Sequence, residues 1–309
     1  TVTELQEAYV RFSREAVEQP QLEDTARDAF RRLENGDENA RKLWENFKDV
    51  SLSEFERIYD LLGIEFDHYT PESFYVDMTE ELIERLQRQG LAVESEEALI
   101  IPLEEEDLPP LMLQKRDATT LYATRDLCAA EYRWEQYRFD RCLYVVGGEQ
   151  ELHFRQLRTA LRKLGHEWAD RIEHIDFGLL KFRDAETGEV RTGSTRQGQM
   201  ILLEDVLQNG IAKAREKIQQ NVDRHEDEID MNRLAARAGI GAVVFSDLSV
   251  RRNKDVVFDW DRMLDFEGDT GPYVQYAHAR LCSILRKAPE NPSAEADCSH
   301  LTLPEEWAL

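Results

Sequence analysis

The 309 residues hold only four cysteines, Cys128, Cys142, Cys282 and Cys298, and none stands in a CxxC pair. That scatter argues against a zinc site and against a disulfide framework. Cys128 and Cys142, in a helical and an apolar stretch, read as small buried hydrophobes. There is no 18-residue apolar run and no signal peptide, which points to a cytosolic protein without membrane spans. Basic residues are scarce: 39 Lys and Arg stand against 63 Asp and Glu, a net charge of −24 with a pI near 4.7. Taken alone, such a balance speaks against nucleic-acid binding, because phosphate backbones recruit Lys and Arg. It also matches proteins from salt-saturated cytoplasm, where ions screen self-repulsion. No initiator Met is present, and Thr1 opens directly into helical periodicity, as in a piece of a longer protein. No Ser/His/Asp pattern for nucleophilic catalysis is visible. What remains, 41% hydrophobic residues over this length, is enough for one large or two ordinary domains.

The informative stretch is Leu111–Gln156. An apolar run LMLQ, a turn-rich RDATT and the pair Leu121-Tyr122 read as a hairpin. Thr124 reads as the N-cap of a helix carrying Leu127, Ala130 and Trp134. Cys142–Val146 (CLYVV) reads as a buried strand that ends in Gly147-Gly148 and opens into a helix over Glu149–Leu164. Helix, strand, Gly turn, helix is half of a parallel α/β unit, and ligands bind at the carboxyl ends of such strands. Tyr122, Asp126 and Gln150 fall there. A hydroxyl, a carboxylate and an amide suit a small cation with several N–H donors, and a planar guanidinium pairs with carboxylate through two parallel bonds. Spacing alone equally allows a packed ring and a charge that complements the helix dipole.

The segments YATRD, YVVGGEQELHFRQL, HIDFGLL, GSTRQG and TGPYVQYAHARLCSIL, in this order, resemble signature stretches of arginyl-tRNA synthetases. FERIYDLLGIEFDHYTPESFY and FDWDRMLDFEGDTGPY add to the resemblance, which runs from about Trp44 to Lys287. It implies an α/β fold: the second half of a class I Rossmann-like catalytic domain, a largely helical insertion and the start of an all-helical C-terminal domain. The implied divisions are 1–110 for the insertion, 111–205 for the catalytic half-domain, 206–270 for a helical connection and 271–309 for the start of an anticodon-binding domain. The family's His-Ile-Gly-His motif does not occur in these residues.

The resemblance further implies ligation of arginine to its tRNA through an arginyl-adenylate, with L-arginine, ATP and Mg2+, and tRNA(Arg) as partners of a monomeric parent enzyme. Glu72, Tyr122, Asp126 and Gln150 would hold arginine. His153, Phe177, Gly178 and Gly198 would face ATP. Gly193–Gly198 resembles the mobile phosphate loop of class I synthetases without its second lysine, so Ser194, Thr195 and Arg196 are the candidate catalytic group. Tyr273, Gln275 and Tyr276 would meet tRNA, and no metal site is expected in the chain. With the acidity, the resemblance suggests a halophilic archaeal source. The alternative is a non-catalytic relative that binds tRNA or protein and kept only the fold.

Elsewhere the pattern predicts helices over residues 1–62, packed as an insertion, with a capping box at Ser51 and Glu54 and a stop at Gly63. It predicts a strand at Ile64–Phe66, a helix after Thr79, a parallel strand at Ile172–Phe177, a hairpin over Leu180–Thr192, helices over 204–225 and 230–248, a short connector formed by Val256–Trp260 and Met263–Phe266, and a helix opened by Pro272. The row His153, Arg155, Arg158, Arg162 and Lys163 is the densest basic cluster. It reads as a solvated face, with anion contact as the sharper reading.

Overall fold

The computed structural model describes residues 1–34, 36–95, 98–115, 119–183, 188–192, 202–221, 230–265 and 268–288. The chain divides into two compact units. One comprises residues 1–2, 32–193 and 250–258; the other comprises 3–31, 194–249 and 259–309.

The chain opens with α1 (Val2–Glu18), α2 (Gln21–Glu34) and α3 (Glu38–Leu62). The Asp37 carboxylate accepts from the backbone N–H groups of Asn39 and Ala40 to start α3, and Gly63 ends it at φ 67°. No helix begins at Ser51. That residue lies inside α3 and donates its hydroxyl to the Phe47 carbonyl at 2.8 Å, so the local bond is absorbed without breaking the helix. The expected packing is also not found. None of the described residues of these three helices is buried, and Tyr9, Phe12, Phe30 and Phe47 are exposed.

The strand expected at Ile64–Phe66 is loop. The Phe66 ring is held edge-on between Tyr59 and Tyr69, at 4.9 and 5.7 Å between centroids, which occupies it locally and leaves no ladder partner. A 3-10 segment at Glu72–Met78 leads into α4 (Thr79–Arg88), whose Leu82, Ile83 and Leu86 are buried. β1 (Val93–Ser95), β2 (Ala98–Ile101) and β3 (Leu111–Lys115) form an antiparallel sheet in that order. The return arm expected after β3 is one bridge, Gln114 to Thr120, because α5 (Tyr122–Tyr137) begins at once. Thr124 is inside α5 and is no cap. Its buried hydroxyl donates to the Leu113 carbonyl at 2.5 Å and fastens the helix to β3.

β4 (Cys142–Val145) and β5 (Ile172–Ile175) pair in parallel and are joined through Gly147-Gly148 and α6 (Glu151–Lys163). β4 is apolar but covered on one face only. Cys142 and Tyr144 pack against the core, while Leu143 and Val145 are 49% and 65% exposed. That is the alternation of a sheet with one open side. The core runs through Leu86 of α4, Leu113 of β3, Leu127 of α5, Leu157 of α6 and Ile172 of β5. Each fully buried aliphatic side chain there contributes about 1.5–3 kcal/mol. β6 (Leu180–Arg183) and β7 (Val190–Thr192) make the expected hairpin, and β8 (Val256–Phe258), expected as connector, adds to β6 in parallel. Gly178 makes this possible: a Cβ there would lie 2.4 Å from the Lys254 carbonyl oxygen.

The second unit contains α7 (Leu203–Asn221), α8 (Met231–Leu248), α9 (Trp260–Met263) and α10 (Gly271–Lys287). Ala214 and Ile218 of α7 and Ala235, Ala238 and Ala242 of α8 share a small core with Leu264. The helices meet at glycines, since a Cβ on Gly239 would come within 2.5 Å of the Gly210 carbonyl carbon. Thr270 caps α10 by accepting from the Tyr273 N–H at 3.2 Å, with Pro272 in the first turn. Among the described residues no helix is long and apolar enough to cross a membrane.

Candidate active site

The first unit brings Tyr122, Asp126 and His153 together. Tyr122 begins α5 and Asp126 follows one turn later, so both lie on one face. His153, near the start of α6, reaches that face. Its Nε2–H donates to Asp126 Oδ2 at 2.7 Å, and the Tyr122 ring stands edge-on to the imidazole at 4.8 Å. His153 is only 6% exposed, and its Nδ1 is buried without a partner. That buried nitrogen is left unsatisfied by the described residues, which costs about 1–3 kcal/mol. Asp126 Oδ2 is held, and no other hydrogen bond to its carboxylate is found among the described residues.

Gln150 lies one turn before His153, just past Gly147-Gly148 at the carboxyl end of β4. Glu72, expected as a second carboxylate near Asp126, is paired within the chain. It accepts from Arg125 Nε at 3.1 Å, and Arg125 also donates to the carbonyl and hydroxyl of Thr120, each at 3.2 Å. A guanidinium of the chain itself thus takes this carboxylate, beside Asp126 in sequence. Nothing in the spacing of Glu72 and Arg125, 53 residues apart, announces that pair. His153, expected beside a nucleotide, is bonded to Asp126 and edge-on to the Tyr122 ring.

Phe177 follows β5, is 45% exposed, and its carbonyl accepts from the Gly148 N–H at 3.4 Å. At Gly178, expected to face ATP, the chain's own residues 254–255 approach closely, and the Gly178 N–H donates to the Arg252 carbonyl at 2.7 Å. Ser194, Thr195, Arg196 and Gly198 lie outside the described residues. In the second unit Tyr273 and Tyr276 are exposed. The Gln275 side-chain amide donates to the Arg237 carbonyl at 3.0 Å and sits against Gly241.

This carboxylate site, at the carboxyl end of a parallel strand pair, sits in a chain whose residues 1–260 match the family model for the catalytic domain of the class I tRNA synthetases (R). The chain belongs to the class I arginyl-tRNA synthetase family. Residues 274–309 match the DALR anticodon binding domain, and the mixed α/β, mostly helical architecture is that of arginyl-tRNA synthetases. The arginine–tRNA ligase of Clostridium perfringens is 47% identical over 309 residues, which is 100% of this chain and 53% of that protein. That of an Exiguobacterium species is 48% identical over 286 residues, 93% of this chain and 50% of the relative. The chain thus spans about half the length of the curated relatives it matches. The crystal structure of the Plasmodium falciparum arginyl-tRNA synthetase superposes with a TM-score of 0.75 at 26% identity, over 88% of this chain and 45% of that one. The Thermus thermophilus arginyl-tRNA synthetase, at 21% identity and a TM-score of 0.70 over 90% of this chain and 51% of that one, shares the fold. These curated relatives are bacterial, so the halophilic archaeal origin read from the acidity is not supported.

Proposed function

We propose that this chain carries the amino-acid side of an arginine–tRNA ligase site. The supporting observation is the Asp126 carboxylate, one oxygen bound by His153 and the other left for a ligand, with the Tyr122 ring against His153 and Gln150 three residues before that histidine. Asp126 pairs with the guanidinium of arginine, Tyr122 covers its plane, and Gln150 accepts or donates at the edge. Glu72 tunes the same rim through Arg125.

The reaction then needs no side-chain nucleophile. The arginine carboxylate attacks the α-phosphate of ATP in line, pyrophosphate leaves, and arginyl-adenylate forms. The terminal ribose hydroxyl of tRNA(Arg) next attacks the activated carbonyl and releases AMP. Positioning and charge stabilisation carry both steps. Mg2+ would travel with the ATP phosphates, while Phe177 and the segment containing Ser194, Thr195, Arg196 and Gly198 face the nucleotide. Tyr273 and Tyr276, with open rings, serve tRNA better than Gln275 does. The parent enzyme acts as a monomer in the cytoplasm in this reading.

The nucleotide side is proposed to be completed by chain outside these residues. β4 has an open edge among the described residues, and Leu143 and Val145 beside it are exposed. The curated relatives are also about twice as long. Arginine-dependent exchange of pyrophosphate into ATP, with tRNA present, is the test. The 309 residues alone should not support it, and the protein that joins them to the missing half should. A non-catalytic binding relative would fail in both.

A further inference from the structure

Five basic side chains project from α6, and three of them are already engaged. His153 is bound to Asp126. Arg162 donates to Asp170 from Nε at 2.8 Å. Lys163 donates to the Pro102 carbonyl at 3.0 Å and lies 3.4 Å from Glu106. Arg155 and Arg158 make no hydrogen bond or ion pair with any described residue, in a chain where acids outnumber bases 63 to 39. Both line one cavity of about 490 Å³, between α6 and β5.

We propose that Arg155 and Arg158 form an anion site for a phosphate group along the outer edge of β5. Three consecutive β5 positions, Glu173 to Ile175, and Asp176 just past the strand line the cavity, four residues in a row. Successive side chains of a strand point to opposite faces, so a cavity touching all four lies along the strand's edge. β5 has no neighbour on that side among the described residues, and an open edge presents backbone N–H groups between the guanidinium heads.

The carboxylates of the lining do not cancel the arginines. Glu173 is held by a two-point pairing from Arg141, at 2.7 Å for each bond, and receives from Arg158 only a longer-range attraction. Asp176 is held by Arg252 through both its side chain and its carbonyl. That leaves two guanidinium groups against Glu151, which lies in the first turn of α6. Two planar forks three residues apart on a helix can each offer paired N–H donors to phosphate oxygens. The volume lies within the range of about 300–1,000 Å³ usual for small ligands. The phosphate can come from a free polyphosphate or from an RNA backbone. The site stands on this geometry alone, whatever the ligase reading.

Isothermal titration on the 309-residue chain at fixed ionic strength tests it, with inorganic tripolyphosphate in one arm and a short single-stranded RNA in the other. Binding should weaken about tenfold or more in Arg155→Gln/Arg158→Gln. It should persist in Arg155→Lys/Arg158→Lys, and in Arg162→Gln, whose wild-type guanidinium is already bound to Asp170. Arginine-dependent binding in the tripolyphosphate arm alone identifies a free anion, and in the RNA arm alone a nucleic-acid backbone. Absence of binding in both arms, or equal affinity in the Gln variant and the wild type, overturns the site.

Discussion

Asp126 and His153 show how far a single residue's role depends on a neighbour remote in sequence. The four-residue spacing of Tyr122 and Asp126 was legible, because helical periodicity puts them on one face. Their partner 27 residues later was not, since no local pattern specifies which α6 side chain meets α5. The same limit hides Glu131, which accepts from Arg85 at 2.6 Å and from His166 at 2.6 Å. Burial pushes its carboxyl upward, but the bonds from His166 and Arg85 together outweigh that and hold it below the usual range. A carboxyl depressed in the folded state contributes stability above its unfolded pKa, about 4.3. That contribution disappears as pH falls through the folded value. Glu131→Gln should therefore cost about 1–3 kcal/mol at pH 7, and the gap to wild type should close in acid. Chemical denaturation at pH 7 and again below about pH 4 checks this; a gap independent of pH would show that the cluster acts by packing alone.

At the scale of elements, periodicity located most helices and the parallel β4–β5 pair, whereas their ends and edges escaped it. Ser51 and Thr124 look like caps in the sequence, yet one bonds back within α3 and the other reaches across to β3. β8 was invisible because three residues become a strand only when β6 lies beside them. The α7–α8 crossing is likewise a pair property, readable only once Gly210 and Gly239 face each other. Gly239→Ala should improve intrinsic helix propensity by roughly 0.5–1 kcal/mol. Its Cβ, however, would fall 2.5 Å from backbone that cannot swing aside. Overpacking of this kind costs about 1–3 kcal/mol, so the net change should be destabilising. A higher melting temperature for Gly239→Ala would mean that the two helices separate at no cost.

The whole molecule carries −24 on 309 residues, and much of that charge is solvated. The ion pairs Arg27–Glu23, Arg57–Glu54 and Arg162–Asp170 are exposed, and such pairs add little to stability. The excess of carboxylates also repels itself across the surface. At about 0.01 M salt the Debye length is roughly 30 Å, and at about 1 M roughly 3 Å, so screening should stabilise the fold. The melting midpoint should climb from low salt to molar potassium chloride and move less in an uncharged osmolyte. A flat or falling series would remove self-repulsion as a determinant. The acidity is thus a statement about solvent and stability, whereas its reading as a sign of habitat found no support among the relatives.

The central claim is that Asp126 reads the guanidinium of arginine. It is tested most directly by the Michaelis constant for arginine in pyrophosphate exchange, measured with tRNA on a protein that joins this chain to the half proposed to complete its site. Asp126→Asn keeps the shape and removes the charge-assisted pairing, which should cost about 2–5 kcal/mol, a rise of roughly thirtyfold or more. An unchanged constant in Asp126→Asn would contradict the account.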